Sequence, residues 1–230
     1  GEWFAPNLDA NGYFLNGALA GLCGYAGLLC LYAGLSTGRM GVVSPISSLS
    51  VLIPLFFALF IKGDQLSTPV MMGVVAAIIG GFLASGPEVT QGLPLRPVLL
   101  ALGAALGFGS ALTFMAIGSQ DSSLLTMTTM RATTFFISLA FFIKIGSFGG
   151  ASKRDIPLLA AIGIADFSAN LLLGVATTKG LVSIAMVLGS LYPIATAVLA
   201  YAFLHERLHK VQYLGVVLAV GGVALISALQ

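Results

Sequence analysis

Two groups of residues in this chain have the types and spacing to do chemistry. The first is the stretch "LHERLHK", Leu204 to Lys210, which fits the zinc-protease pattern H-E-x-x-H through His205, Glu206 and His209. On a helix that spacing sets two imidazoles on one face, with the glutamate placed as a general base. Zinc needs a third protein ligand, and these are the only two histidines in the chain. No carboxylate follows Glu206 either. No metal or other cofactor is therefore expected, and His205, Glu206, Arg207, His209 and Lys210 read as a solvated turn. The second group is Asp166 in "GIADFSANLLLG", Asn170 four residues later, and Arg131 in "TTMRATTFFISLAFF". Here a carboxylate and a guanidinium sit deep inside long apolar runs.

Those runs set the class of the protein. Of 230 residues, 58% are hydrophobic and only 8% charged, against roughly 25% charged in a soluble domain. So much apolar surface cannot be hidden in one soluble core of this length and must face lipid. The net charge of +2 comes from ten thinly spread Lys and Arg, and no basic patch points to nucleic acid. Eight apolar runs are delimited: Tyr13–Ala33, Val42–Ile61, Pro69–Ser85, Pro97–Ile117, Leu124–Ile145, Pro157–Thr177, Leu181–Leu204 and Val211–Leu229. Each approaches the roughly 20 residues that carry a helix across a bilayer. Proline opens the third, fourth and sixth, where its missing N–H costs nothing. The breaks "STGRMG", "KGDQLST", "SGPEVTQGLPLR" and "GSFGGASKRD" hold turn formers and most charges. Two-residue alternation is absent, which argues for helices over barrel strands.

An internal repeat orders the runs. "GVVSPISSLSVLIPLFFA" from Gly41 matches "GLVSIAMVLGSLYPIATA" from Gly180, with Ser44 on Ser183, Leu52 on Leu191 and Pro54 on Pro193. After a three-residue offset, Asp64 falls on Glu206, Leu66 on Leu208, Gly73 on Gly215 and Gly80 on Gly222. The second run thus pairs with the seventh and the third with the eighth. An odd spacing of five makes equivalent helices cross the bilayer in opposite directions, the inverted architecture of many secondary transporters. A five-helix unit fits runs four to eight and leaves three for the earlier copy. The expected fold is an all-α polytopic membrane protein: eight transmembrane helices of a five-plus-five inverted repeat, its first two helices missing. Residues 1–85 form the remnant of the first repeat, 86–96 the linker and 97–230 the second repeat. In the first copy the place of "HERLH" is taken by "KGDQLS", so the copies share an acid and a leucine but no histidine.

"SLYPIATAVLAYAFLHERLHKVQYLGVVLAVGGVALI", Ser190 to Ile226, closely resembles the end of an EamA-type domain of the drug/metabolite transporter superfamily. Gly41 to Gly81 resembles the same region of a first copy. Gly107 and Gly109, with Arg131 in its own stretch, resemble the opening helices of a second copy. The resemblance implies ten helices in two inverted repeats around a central cavity, and export or exchange of small metabolites. This sequence departs from the pattern in having Asp64, preceded by Lys62 and Gly63, where Glu is usual.

An ion at a helix centre costs on the order of 2.5–3.5 kcal/mol on insertion scales, so few residues qualify for transport. Asp166 lies near the middle of the sixth run and Arg131 about a third of the way along the fifth. With roughly 1.5 Å of rise per residue, Asp166 comes roughly 18 Å from the end where Arg131 is roughly 12 Å deep. A long arginine spans that difference, and Asn170 falls near the depth of Arg131. The group serves either as a structural ion pair or as a cavity site that binds solute or couples to protons. Pro54 and Pro193 each free a carbonyl one turn earlier, for a cavity or for a packing kink. Tyr192 and Ser190 offer hydroxyls beside Pro193. Pro45 adds a bend near Ser44, Ser47 and Ser48, and Asn16, Tyr25 and Tyr32 line the same space or anchor at interfaces. Cys23 and Cys30, about 10 Å apart along one helix, are too distant to bridge.

The expected function is secondary transport, as an exporter or exchanger of small metabolites or drug-like solutes, with proton coupling as an option. No enzyme activity is expected; the alternative is an intramembrane zinc metalloenzyme built on "HERLH". Expected partners are a small-molecule substrate and the lipid bilayer, with a homodimer open, and the expected location is the plasma membrane. Seven Lys and Arg against two place the C terminus outside, whereas the resemblance implies a cytoplasmic C terminus.

Overall fold

Apolar runs become helices, and the described residues contain no strand. The computed structural model describes residues 9, 11–37, 40–84, 95–146, 153–191 and 209–229. The elements are α1 (Tyr13–Thr37), α2 (Met40–Ser48), α3 (Leu52–Phe56), α4 (Thr68–Ala84), α5 (Leu95–Ile145), α6 (Ile156–Lys179), α7 (Val182–Gly189) and α8 (Lys210–Ala228). Among the described residues four segments are long and apolar enough to cross a membrane: Tyr13–Ser36, Val43–Ile61, Leu95–Lys144 and Ile156–Lys179. Thr68–Ala84 and Lys210–Ile226 are shorter apolar helices. Large side chains point outward, with Phe60 73%, Ile143 74% and Leu172 69% exposed. In a membrane that surface meets lipid tails rather than water.

The second predicted run is helical throughout, but its winding changes. A 3-10 turn, Leu49–Val51, separates α2 from α3, and a π-turn, Phe57–Ile61, follows α3. Pro54 causes part of this, because it has no N–H to offer the Ser50 carbonyl. A Cβ at Gly109 of α5 would stand 2.5 Å from that Ser50 oxygen. Glycine is what allows α5 to close over the freed carbonyl.

The fourth and fifth predicted runs emerge as one element, α5, interrupted at Ser122 (φ −155, ψ 111). The contacts of α1 show that α5 reverses there. Gly17 and Gly21 abut Thr129 and Thr133 in order, whereas Gly24 faces Ala111 and Gly27 faces Phe108. Numbers rise together along 123–145 and oppose each other along 95–121. The two arms therefore run antiparallel, with α1 packed against both. The closest approach is at Gly107, where a Cβ would lie 2.6 Å from the Gly27 Cα.

The seventh run departs from expectation. A single span over Leu181–Leu204 is predicted, but α7 ends at Gly189, with Ser190 and Leu191 in a turn. The reason is local. Glycine is a poor helix former, and proline at 193 has no N–H with which to satisfy the Gly189 carbonyl. The remainder of that run lies outside the described residues.

Helices α4 and α8 meet along a glycine seam. A Cβ at Gly80 would lie 2.4 Å from the Ala219 nitrogen, and one at Gly215 2.3 Å from the Ala84 nitrogen. Gly73 meets Gly222 and Ile226 in the same way. Residue numbers rise on one helix as they fall on the other, so the two are antiparallel. Around the seam Val51, Val74, Ala77, Ile184, Val187 and Ile226 form one buried cluster. Ala20, Met115, Met127 and Met186 anchor a second, which ties α1 and α5 to α7.

Candidate solute-binding site

Arg131 and Asp166 come together across two antiparallel helices, the 123–145 arm of α5 and α6. The facing of Gly174 with Ser119 and Ser123 fixes the register. Eight residues back along α6 stands Asp166, and eight residues beyond Ser123 stands Arg131, so the ions meet at one level. Arg131 Nη2 donates to Asp166 Oδ2. The other carboxylate oxygen, Oδ1, accepts from Asn170 Nδ2 at 3.0 Å, and the same amide nitrogen reaches the Asp166 carbonyl at 2.8 Å. The three residues predicted as one group are one group.

Its surroundings decide what it can do. The side chains are 33% exposed for Arg131 and 54% for Asp166, so this is no sealed core pair. The guanidinium meets Asp166 through Nη2, and its buried Nε–H has no acceptor among the described residues. The neutral sum of the pair keeps the cost of two ions in an apolar bundle low, because each is the other's counter-charge. Such an arrangement can exchange its internal bonds for bonds to a polar solute.

The other described candidates belong to other elements. Asn16 is buried at the start of α1, where its Nδ2 donates to the Gly12 carbonyl at 2.9 Å. Beside it Gly118 faces Thr126, and the Ser119 and Thr126 hydroxyls are buried without hydrogen bonds among the described residues. Tyr25 stacks on Phe141 with ring centroids 6.1 Å apart. Pro54 is buried in α3. Ser190 Oγ returns to the Val187 carbonyl at 2.7 Å, in the turn that ends α7. Ser47 and Ser48 bond back to the carbonyls of Ser44 and Pro45. Tyr192 and Pro193 lie outside the described residues.

Of the "HERLH" stretch, residues 205–208 lie outside the described part. His209 and Lys210 are exposed, and His209 precedes α8 with its N–H on Gln212 Oε1 at 2.9 Å. Among the described residues no three His, Cys, Asp or Glu gather as a metal site.

Two contacts were not legible as pairs in the sequence. Asp121 Oδ2 accepts the Tyr13 N–H at 3.0 Å, where α1 begins. Asp64 Oδ2 accepts both the Ser183 N–H and the Ser183 hydroxyl, each at 2.9 Å, where α7 begins. A signal for the second existed: Asp64 is the acid shared by the two repeat copies. Nothing in the sequence named its partner.

Residues 95–228 match the EamA-like transporter family. A search of curated proteins finds no match. A solved crystal structure, titled only as that of a protein, has a similar fold, with TM-score 0.71 and 14% identity over 97% of this chain and 90% of its own. At that identity the likeness shows the fold alone. The family match spans more than half of the chain and takes in α5, α6, α7 and α8. The chain therefore belongs to the EamA-like transporter family, in the drug/metabolite transporter superfamily, and is a multi-pass membrane protein.

Proposed function

We infer that the chain is a secondary transporter of small polar or drug-like solutes, working as an exporter or exchanger. The observation that carries this is the Arg131–Asp166–Asn170 group, charged, half-exposed and held between two apolar helices. Intramembrane ions are costly and mark solute or ion paths. Asp166 is the candidate coupling residue of the group, and the plasma membrane is the expected site of action.

An inverted repeat supports the same reading. In the register that sets Gly73 on Gly215 and Gly80 on Gly222, Ala77 corresponds to Ala219 and Ala84 to Ile226. The seam obeys that exchange. Gly73 meets the Gly222 carbonyl and Ile226 nitrogen, while Gly215 meets the Gly80 carbonyl and Ala84 nitrogen. Gly80 meets the Ala219 nitrogen, while Gly222 meets the Ala77 nitrogen. Swapping each residue for its counterpart reproduces the contact, which is what a two-fold axis in the membrane plane requires. The reversal at Ser122 likewise supports counting α5 as two spans, and hence eight in all.

Solute counterflow in liposomes, against a metabolite panel, tests the function. Asp166→Asn in the full-length protein lowers counterflow at least tenfold and removes its pH dependence. Wild-type rates with an unchanged pH profile remove Asp166 from the path.

A further inference from the structure

Asp64 and Ser183 join the two repeat copies at one end of the molecule. Asp64 lies in the break between the Phe57–Ile61 turn and α4, and Ser183 in the first turn of α7. The same end holds the Ser122 reversal, because Gln120 Nε2 donates to the Thr177 carbonyl at 3.1 Å, just before α7. We propose that the Asp64–Ser183 contact is a releasable latch, which closes this end of the transport path and opens when solute passes through it. The inference rests on the transporter reading above.

Four observations carry it. The bond crosses between the repeat copies, so any rocking of one copy on the other must act on it. Ser183 is fully buried, and Asp64 is its hydrogen-bond partner for both N–H and hydroxyl, so closure leaves neither donor unmet. Asp64 itself is only half-buried, and on opening its carboxylate returns to water at small cost.

The segment that carries Asp64 is built to move. It follows a π-turn in which the Lys62 N–H reaches the Phe57 carbonyl and the Asp64 N–H the Ala58 carbonyl. Such turns are short, rare and frequent at functional sites. Between them Gly63 adopts φ +78, with nothing within 4 Å of where a Cβ would stand. A left-handed glycine in open space is a pivot with no packing to break.

The fourth observation is the repeat itself. Ser44 falls on Ser183 and Glu206 on Asp64, so an acid and a serine occupy the corresponding positions of the other copy. An acid that persists in both copies, while the histidines beside Glu206 do not, is the residue the latch needs.

A reversible cross-link tests the latch in the full-length protein. In a Cys23→Ala/Cys30→Ala background, Asp64→Cys with Ser183→Cys is reconstituted in liposomes and oxidised. Counterflow falls at least tenfold on oxidation and returns on reduction. Cross-linked protein that transports at the reduced rate overturns the latch and leaves the transporter reading intact. Absence of counterflow by wild type for every solute tried overturns the transporter reading instead. Where the double variant does not fold, Ser183→Cys alone is labelled with a membrane-impermeant maleimide. Labelling that quickens severalfold with saturating solute supports opening at this end; a rate indifferent to solute overturns it.

Discussion

The α4–α8 seam and the α5–α6 contact both join helices inside the membrane, by opposite means. At the seam four glycines bring backbones so close that a methyl group has no room. Between α5 and α6 a charged pair meets, half-exposed, with one guanidinium donor unspent. The first contact is all packing and no chemistry; the second is all chemistry and little packing. Lipid tails are as apolar as leucine, so helices gain little by hiding apolar surface from them. Stability must then come from close approach, and polar contacts are free to serve transport. The seam is the close-packed contact and the ion pair the half-exposed one.

The widest separation between the two regions is expected at the seam. Gly80→Val or Gly215→Val drives a branched side chain into the backbone of the facing helix and costs about 3 kcal/mol or more. Thermal unfolding in detergent shows a large fall in midpoint, with transport lost as the fold is lost. At the other region the order reverses. Arg131→Ala and Asp166→Asn lower counterflow at least tenfold, whereas unfolding shifts less than in the seam variants. Variants as unstable as the seam variants make the pair structural and erase the contrast.

Smaller effects sharpen it. Gly109→Ala places a methyl 2.5 Å from the Ser50 carbonyl, and unfolding reports a loss of about 1–2 kcal/mol. Gly163, on α6, has nothing within 4 Å of where its Cβ would be. Gly163→Ala therefore stabilises by about 0.5–1 kcal/mol, the gain of alanine over glycine in a helix interior. One substitution thus has opposite signs at Gly109 and Gly163, and a matching sign at both sites refutes the packing account.

Much of this was legible in the residues. Asp166, Arg131 and Asn170 stood out because an ion inside an apolar run needs a reason, and helix rise put Asp166 within reach of a long arginine and Asn170 near the depth of Arg131. The glycines of the third and eighth helices were marked as close-approach positions by composition. Less could be read along the seventh run, where length suggested a full span and Gly189 ended the helix. Asn16 and Tyr25 were candidates by polarity; Asn16 bonds the nearby Gly12 carbonyl, while the Tyr25 ring stacks on Phe141 of a distant helix. Polarity marks a residue as needing company without saying whose.

By itself the sequence determined that the chain is helical and spans lipid. Those properties follow from periodicity, run length and counting, which are local or arithmetic. Tertiary structure alone decided two other pairings: Asp64 with Ser183 and Asp121 with Tyr13. Such pairings join residues far apart along the chain. They depend on where packed helices place their ends, and that position is a property of the whole bundle rather than of any one run.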